Sequence, residues 1–214
     1  MVLATLWPAA RPSHAFDAAR MQSAARRVGP AAVAVLASLQ SFLAQARRME
    51  PPQRLVAVNE FINRRIAYAT DLELWGQEDY WASPLEALAR GRGDCEDYAI
   101  AKYASLLAAG TPSSSLRLAY VWARTPPTRD DPQPKVFAHM VLAYQVGGDD
   151  EPMILDNLHA EVLPSSARPD LTPVYSFSDD GLWQGNGKVR VGDAQARLVR
   201  WREVLIKLHD EGFD

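Results

Sequence analysis

Cys95 is the only cysteine in the chain, and Gly91-Arg92-Gly93-Asp94 precedes it. An apolar stripe follows, with Ala99, Ile100, Tyr103, Leu106 and Leu107 at the spacing of one helix face. Asp94 is of a type that caps free helix amides, and Asp97 stands where a capping box places its acid. The sulfur therefore falls in the first turn of a helix, where unpaired amides and the positive end of the dipole favour a thiolate. A thiolate attacks carbonyl carbon. It needs a base, and the base needs a group to orient it.

Four histidines are available as the base. His14 lies in the N-terminal tail and His209 near the C-terminus, where water satisfies them, and His159 lies beyond a strand-like run. His139 sits inside Ala138-His139-Met140-Val141-Leu142-Ala143, an apolar stretch in which an imidazole requires partners. Asp156 closes the run Met153-Ile154-Leu155. A hairpin turning about Gly147-Gly148 sets His139 opposite Asp156, with Cβ atoms about 4.5–5.5 Å apart, so that the carboxylate accepts the ring N–H. Asp149-Asp150-Glu151-Pro152 lengthens the turn and permits a diagonal pairing that keeps the two in reach. Each residue also has a plain reading: an inert core thiol, a histidine satisfied by a carbonyl, and an aspartate that begins a turn with Asn157.

Three carboxylates, Asp94, Glu96 and Asp97, lie within two residues of the sulfur, and uncompensated they oppose a thiolate. A hard divalent cation with oxygen ligands would cancel that repulsion, and calcium accepts such flexible carboxylate geometry. The alternative is that these acids serve only as cap and dipole partners.

Positioning these groups takes helices first and a sheet afterwards. Residues 16–48 carry Val33, Leu36, Leu39, Phe42 and Leu43 on one stripe and are predicted as one helix, ended by Arg47-Arg48 and Pro51-Pro52. A second helix is predicted over 53–68, and residues 68–93, rich in Trp, Tyr, Asp and Gly, read as an ordered loop with a short helix at 84–89. Residues 116–123, 136–145 and 153–156 are predicted strands, separated by the proline-rich stretch 124–135. Residues 164–192 read as loop with short strands, and 193–209 as a closing helix. This order makes an α+β domain with an antiparallel sheet.

The chain of 214 residues, 48% hydrophobic and 23% charged, is long and apolar enough for a single core and does not match a disordered or coiled-coil chain. Its net charge of −3 and lack of a basic cluster exclude the electrostatic footprint of a nucleic-acid binder. A lone cysteine excludes an intramolecular disulfide framework, and no run reaches the length of a membrane span. Residues 1–15 are an apolar tail ending near Ser13-His14-Ala15, either the remnant of an export signal or simply a tail. Residues 16–214 are predicted as one domain.

The segment Gly91 to Tyr103, with Ala138–Tyr144, Ile154–Asn157 and Pro173–Phe177, resembles the bacterial transglutaminase-like cysteine proteinases of the LapG type. Asn63, Tyr68, Asp71, Trp75-Gly76, Asp79-Tyr80-Trp81 and Pro84-Leu85-Glu86 fit the same pattern, so the resemblance covers about residues 53–183. It implies a papain-like or transglutaminase-like fold, with Cys95 as nucleophile, His139 as general base and acid, and Asp156 as orienting carboxylate. It implies calcium dependence, with ligands falling on Asp94 and Glu96 and Asp97 as a further candidate. It implies a periplasmic endopeptidase whose substrate is a large surface adhesin, cut near its N-terminal retention module, often at paired alanines, so that biofilm disperses. The partner it implies is an inner-membrane receptor of the LapD type that responds to cyclic di-GMP. The oxyanion falls to the Cys95 amide, with the Trp75–Trp81 loop and its Gln77 as candidate second donor, and Trp183 either lines the groove or covers the core. A crosslinking transglutaminase or amidase, and a silent peptide-binding module, share the same residues and stay open on the sequence alone.

Overall fold

The computed structural model describes residues 16–126, 133–147, 150–185 and 187–213. The tail 1–15, including His14, and the Gly147-Gly148 turn beyond its first residue lie outside them. The first predicted helix is two: α1 (Ala18–Val28) and α2 (Pro30–Ala46). Gly29 divides them with φ of 135°, a conformation only glycine adopts readily, and Pro30 supplies no amide to continue the ladder. Helix α3 (Pro51–Arg65) starts on a proline, as first turns allow, and buries the expected Leu55, Val58, Phe61 and Ile62.

The stretch predicted as loop holds more order than its sequence suggests. Strand β1 (Ala67–Tyr68) runs parallel to β2 (Arg92–Gly93), with helices α4 (Asp71–Trp75) and α5 (Pro84–Arg90) between them. Each of these short helices opens on a reciprocal cap, Thr70 with Glu73 and Ser83 with Glu86. Helix α6 (Cys95–Ala108) then crosses the core.

Seven strands follow: β3 (Leu116–Arg124), β4 (Val136–Tyr144), β5 (Met153–Leu155), β6 (Leu163–Pro164), β7 (Leu171–Ser178), β8 (Gly181–Gln184) and β9 (Val189–Gly192). They form one sheet in the order β6-β5-β4-β3-β7-β8-β9, every neighbouring pair antiparallel. Residues 164–192 thus hold the short strands expected of them, and β7 is longer and more central than its sequence suggests because it finds a long partner in β3. Leu116, Leu118, Met140, Leu142, Leu155 and Phe177 join the helices in one core, while Ala119, Val121, Val141 and Ile154 form a smaller cluster.

The closing helix is broken at Leu198 into α7 (Ala194–Arg197) and α8 (Val199–Asp210). Trp201 of α8 is fully buried, with its ring centroid 5.3 Å from those of both Tyr103 and Phe177. Such edge contacts add about 0.5–1.5 kcal/mol beyond the area they bury. Glu211, just past α8, accepts from the Ser83 hydroxyl and from the Leu85 amide at 3.1 Å, so the C-terminus is tied to the start of α5. No helix among the described residues is long and apolar enough to cross a membrane.

Candidate active site

Cys95 is the first residue of α6, with Asp94 as N-cap. The β1–β2 pairing fixes the chain just ahead of it, with the Ala69 amide donating to the Gly93 carbonyl at 2.9 Å. Gly93 is required there: a Cβ at that position would stand 2.6 Å from Asp97 Oδ2. Asp97 itself accepts the Ala82 amide at 2.8 Å and the Asp94 amide at 3.4 Å, so it stitches the helix start to the Trp81 loop. The half-buried thiol donates to Glu96 Oε2 at 3.1 Å and receives the Met140 amide of β4. Burial first, then the charges of Glu96 and Asp94, push this thiol above the ordinary cysteine range, and the Met140 amide pulls the other way.

His139 and Asp156 meet as the sequence predicts, but by another register. β4 pairs with β5 through Leu142 and Leu155, a shift of two residues from the expected hairpin, and Asp156 lies just past the end of β5. A two-residue shift preserves the face, so the pairing becomes diagonal. His139 Nε2 donates to Asp156 Oδ1 at 2.8 Å, with side-chain exposures of 3% and 0%. That leaves Nδ1 as the ring nitrogen with no hydrogen-bond partner among the described residues.

Asp156 is held from every side. Its Oδ1 also accepts the Leu158 amide at 3.0 Å, its Oδ2 accepts Arg168 Nη2 at 2.7 Å, and its carbonyl accepts Asn63 Nδ2 at 2.9 Å. Burial works against its charge, yet the hydrogen bond and charge of His139, the Leu158 amide and Arg168 outweigh it and hold the carboxyl well below the usual range. Arg168 also grips Asp170 through two bonds, at 3.0 and 2.7 Å. A second cation, Lys102, stands two turns along α6 from Cys95 at 1% exposure; burial lowers it to about 7 against the charge of Asp156.

The acids beside the sulfur are arranged differently. Asp71, Asp94 and Glu96 each bring a carboxylate oxygen within 4.8 Å of the others. Asp71 Oδ2 takes the Tyr80 amide at 2.5 Å, while Asp71 Oδ1 and Asp94 Oδ1 are buried with no hydrogen-bond partner. Burial, then the Glu96 charge, pushes Asp94 up to about 10, and burial likewise raises Asp71. Buried anionic oxygens without donors are costly, and a hard cation is the group that satisfies several at once. The donor set therefore fits calcium. Asp94 and Glu96 belong to it, Asp97 is occupied elsewhere, and Asp71 joins it from a distant helix.

A model of the bacterial transglutaminase-like cysteine proteinases matches residues 38–171. The chain belongs to this family. Among solved structures, LapG of Legionella pneumophila is similar at 33% identity, covering 91% of this chain and 98% of that one, with a TM-score of 0.72. Its EGTA-treated form matches at 34% identity and a TM-score of 0.74, covering 91% and 98%. Its calcium-bound form matches at 34% identity and 0.71, covering 90% and 99%. No curated protein sequence matches. The family membership makes this chain a cysteine proteinase by kind, with the transglutaminase-like fold expected from its motifs.

Within that family fold, two further histidines are described. His209 lies on α8, where Arg20 Nη1 reaches its carbonyl at 2.9 Å, and His159 lies on the loop after Asp156. Trp183 does not line a groove at Cys95; it stacks under Arg117, whose guanidinium carbon is 3.8 Å from its ring centroid. Gln77 is exposed. Sequence reasoning missed Asp71 as a member of the acidic group, Arg168 and Lys102. Asp71 was legible as a residue of the family pattern, but nothing in its spacing tied it to Asp94. Arg168 comes from an irregular segment whose position only the folded sheet defines.

Proposed function

We propose that this chain is a calcium-dependent periplasmic cysteine endopeptidase that cuts the N-terminal region of a large surface adhesin, releasing it and dispersing biofilm. The observation that carries the chemistry is the buried His139–Asp156 pair, with Nδ1 left free, on the strand whose next amide meets the Cys95 sulfur. Cys95 passes its proton to His139 Nδ1 as the sulfur adds to the scissile carbonyl. The Cys95 amide, at an open helix start, donates to the oxyanion. Collapse expels the amine with the proton from His139, and the same imidazole then activates water against the acyl-enzyme. Asp156 fixes the ring throughout and balances the imidazolium.

Asp71, Asp94 and Glu96 would hold calcium, which when bound neutralises the acids beside the nucleophile and ties α4 to the start of α6. The calcium-bound LapG structure supports this metal. The adhesin substrate and regulation by a LapD-type receptor that senses cyclic di-GMP rest on the likeness to LapG, supported by its coverage of nearly the whole chain.

The test incubates the purified protein with N-terminal fragments of large adhesins from the same genome, with calcium and with chelator. Cleavage lost on chelation, restored by calcium and absent in Cys95→Ala is the expected result. Unchanged cleavage in Cys95→Ala overturns the reading. Product that appears only when a primary amine is supplied would make the chain a transferase instead.

A further inference from the structure

The edge of β4 beyond the sulfur carries backbone groups that no described residue pairs with. Successive residues of an antiparallel strand aim their N–H and C=O at opposite edges. In β4 the odd positions face β3: the Lys135 carbonyl accepts the Thr125 amide at 3.0 Å, and the Gln145 amide donates to the Ser115 carbonyl at 2.9 Å. The even positions therefore face outward. Leu142 and Tyr144 meet β5, whose pairing stops at Leu142. Met140 sends its amide to the Cys95 sulfur. Ala138 and Val136 come next along the same edge, and among the described residues no strand covers them.

The side chains around this edge are small or bare. Ala138 is exposed, Val136 is 57% exposed, and Trp122, directly across from Ala138 on β3, is 46% exposed. The Trp122 ring continues an aromatic row, its centroid 6.4 Å from that of Tyr120, which stacks on Tyr175 at 5.1 Å. Free edges invite pairing and are normally blunted by charge, proline or cover. Here the edge is apolar and ends at a nucleophile.

We infer that the substrate docks as an added strand on the outer edge of β4, pairing with the backbone of Ala138 and Val136 and laying an apolar side chain on Trp122. The occupant is an extended polypeptide, because alternating donors and acceptors repeated every two residues, about 6.6–6.8 Å, match that backbone and no compact ligand. The residue paired with Ala138 then lies two positions along the chain from the one facing Met140, which sets the scissile carbonyl against Cys95. Recognition of this kind reads conformation more than sequence, so the cleaved segment must be able to lie extended and present small or apolar side chains on alternate positions. The inference rests on the protease reading above and adds to it how the polypeptide is held.

The experiment needs no knowledge of the natural substrate. A short alanine-rich peptide with one central cysteine, activated as its thiopyridyl disulfide, is coupled to Cys95 by thiol–disulfide exchange with release of thiopyridone. Amide hydrogen exchange is then followed residue by residue in the calcium-loaded protein, with and without the tether. The amides of Ala138 and Val136 slow by at least about tenfold, as new ladder bonds require, and that of Phe137, which faces β3, is unchanged. A tether that forms without slowing those two amides overturns the docking, and so does a Cys95 that takes no tether. The first result leaves the Cys95-dependent cleavage assay standing, and so separates failure of the docking from failure of the protease reading.

Discussion

The buried carboxylate of Asp156 at His139 and the acidic group beside Cys95 are finished to different degrees. Asp156 has an imidazole, a guanidinium and an amide on its two oxygens, and it is ionised because its partners outweigh its burial. Asp71 and Asp94 each keep an oxygen without a donor, and burial with a neighbouring charge pushes Asp94 up to about 10. The first group is complete within the chain, whereas the second keeps oxygens that a cation would satisfy. The carboxylate on His139 is thus satisfied by the chain itself, and the acids beside the sulfur would need a cation. A cation at the second group would change the charge around the sulfur without touching the His139–Asp156 pair.

The comparison breaks most decisively at Asp156. Asp156→Ala leaves Arg168 and His139 facing an empty site, and loss of one member of a buried charged pair costs about 3–5 kcal/mol. Urea denaturation reads this directly; a loss under about 1 kcal/mol would show that the network is not what holds the strand end. Calcium supplied at a hundred times its dissociation constant adds about 2.7 kcal/mol, which for a chain of this size raises the melting temperature by about 5–10 °C. Chelator reverses it. Substituting the second group has the opposite sign: Asp94→Asn raises the melting temperature of the metal-free protein at neutral pH and removes most of the calcium response, where Asp156→Ala lowers it in either state.

A third buried carboxylate lies between these extremes. Glu211 has hydrogen-bond donors but no ion pair, and burial raises it from 4.5 to about 7. Its folded value is the higher, so between those pH values the native state keeps a proton that the unfolded chain has lost, and stability falls as pH rises. The linkage relation puts the loss at about 3 kcal/mol across the window. In Glu211→Gln this slope flattens, measured as unfolding free energy at several pH values with calcium in excess; an unchanged slope would assign it to other groups. The smallest effect is at Arg168→Lys, which keeps the charge but cannot grip Asp156 and Asp170 with one planar fork. It costs about 1–2 kcal/mol and leaves the calcium response intact, which thermal denaturation with and without chelator checks.

Much of this protein is written in short-range patterns. The stripe after Cys95, the capping residues around it and the apolar runs of β3, β4 and β5 specify their elements locally, because periodicity and caps act within a few residues. The contact of His139 with Asp156 was legible for the same reason: a polar residue in an apolar strand and an acid at its end stand out where they are. The strand register was off by two residues because turn length, not strand composition, sets it. What the sequence alone could not supply were relations between distant segments. Asp71 reaches Asp94 only through the β1–β2 pairing, Arg168 reaches Asp156 from an irregular segment, and β7 becomes a central strand because β3 lies beside it. Those depend on which surfaces bury one another, a property of the whole packed core that no local window contains.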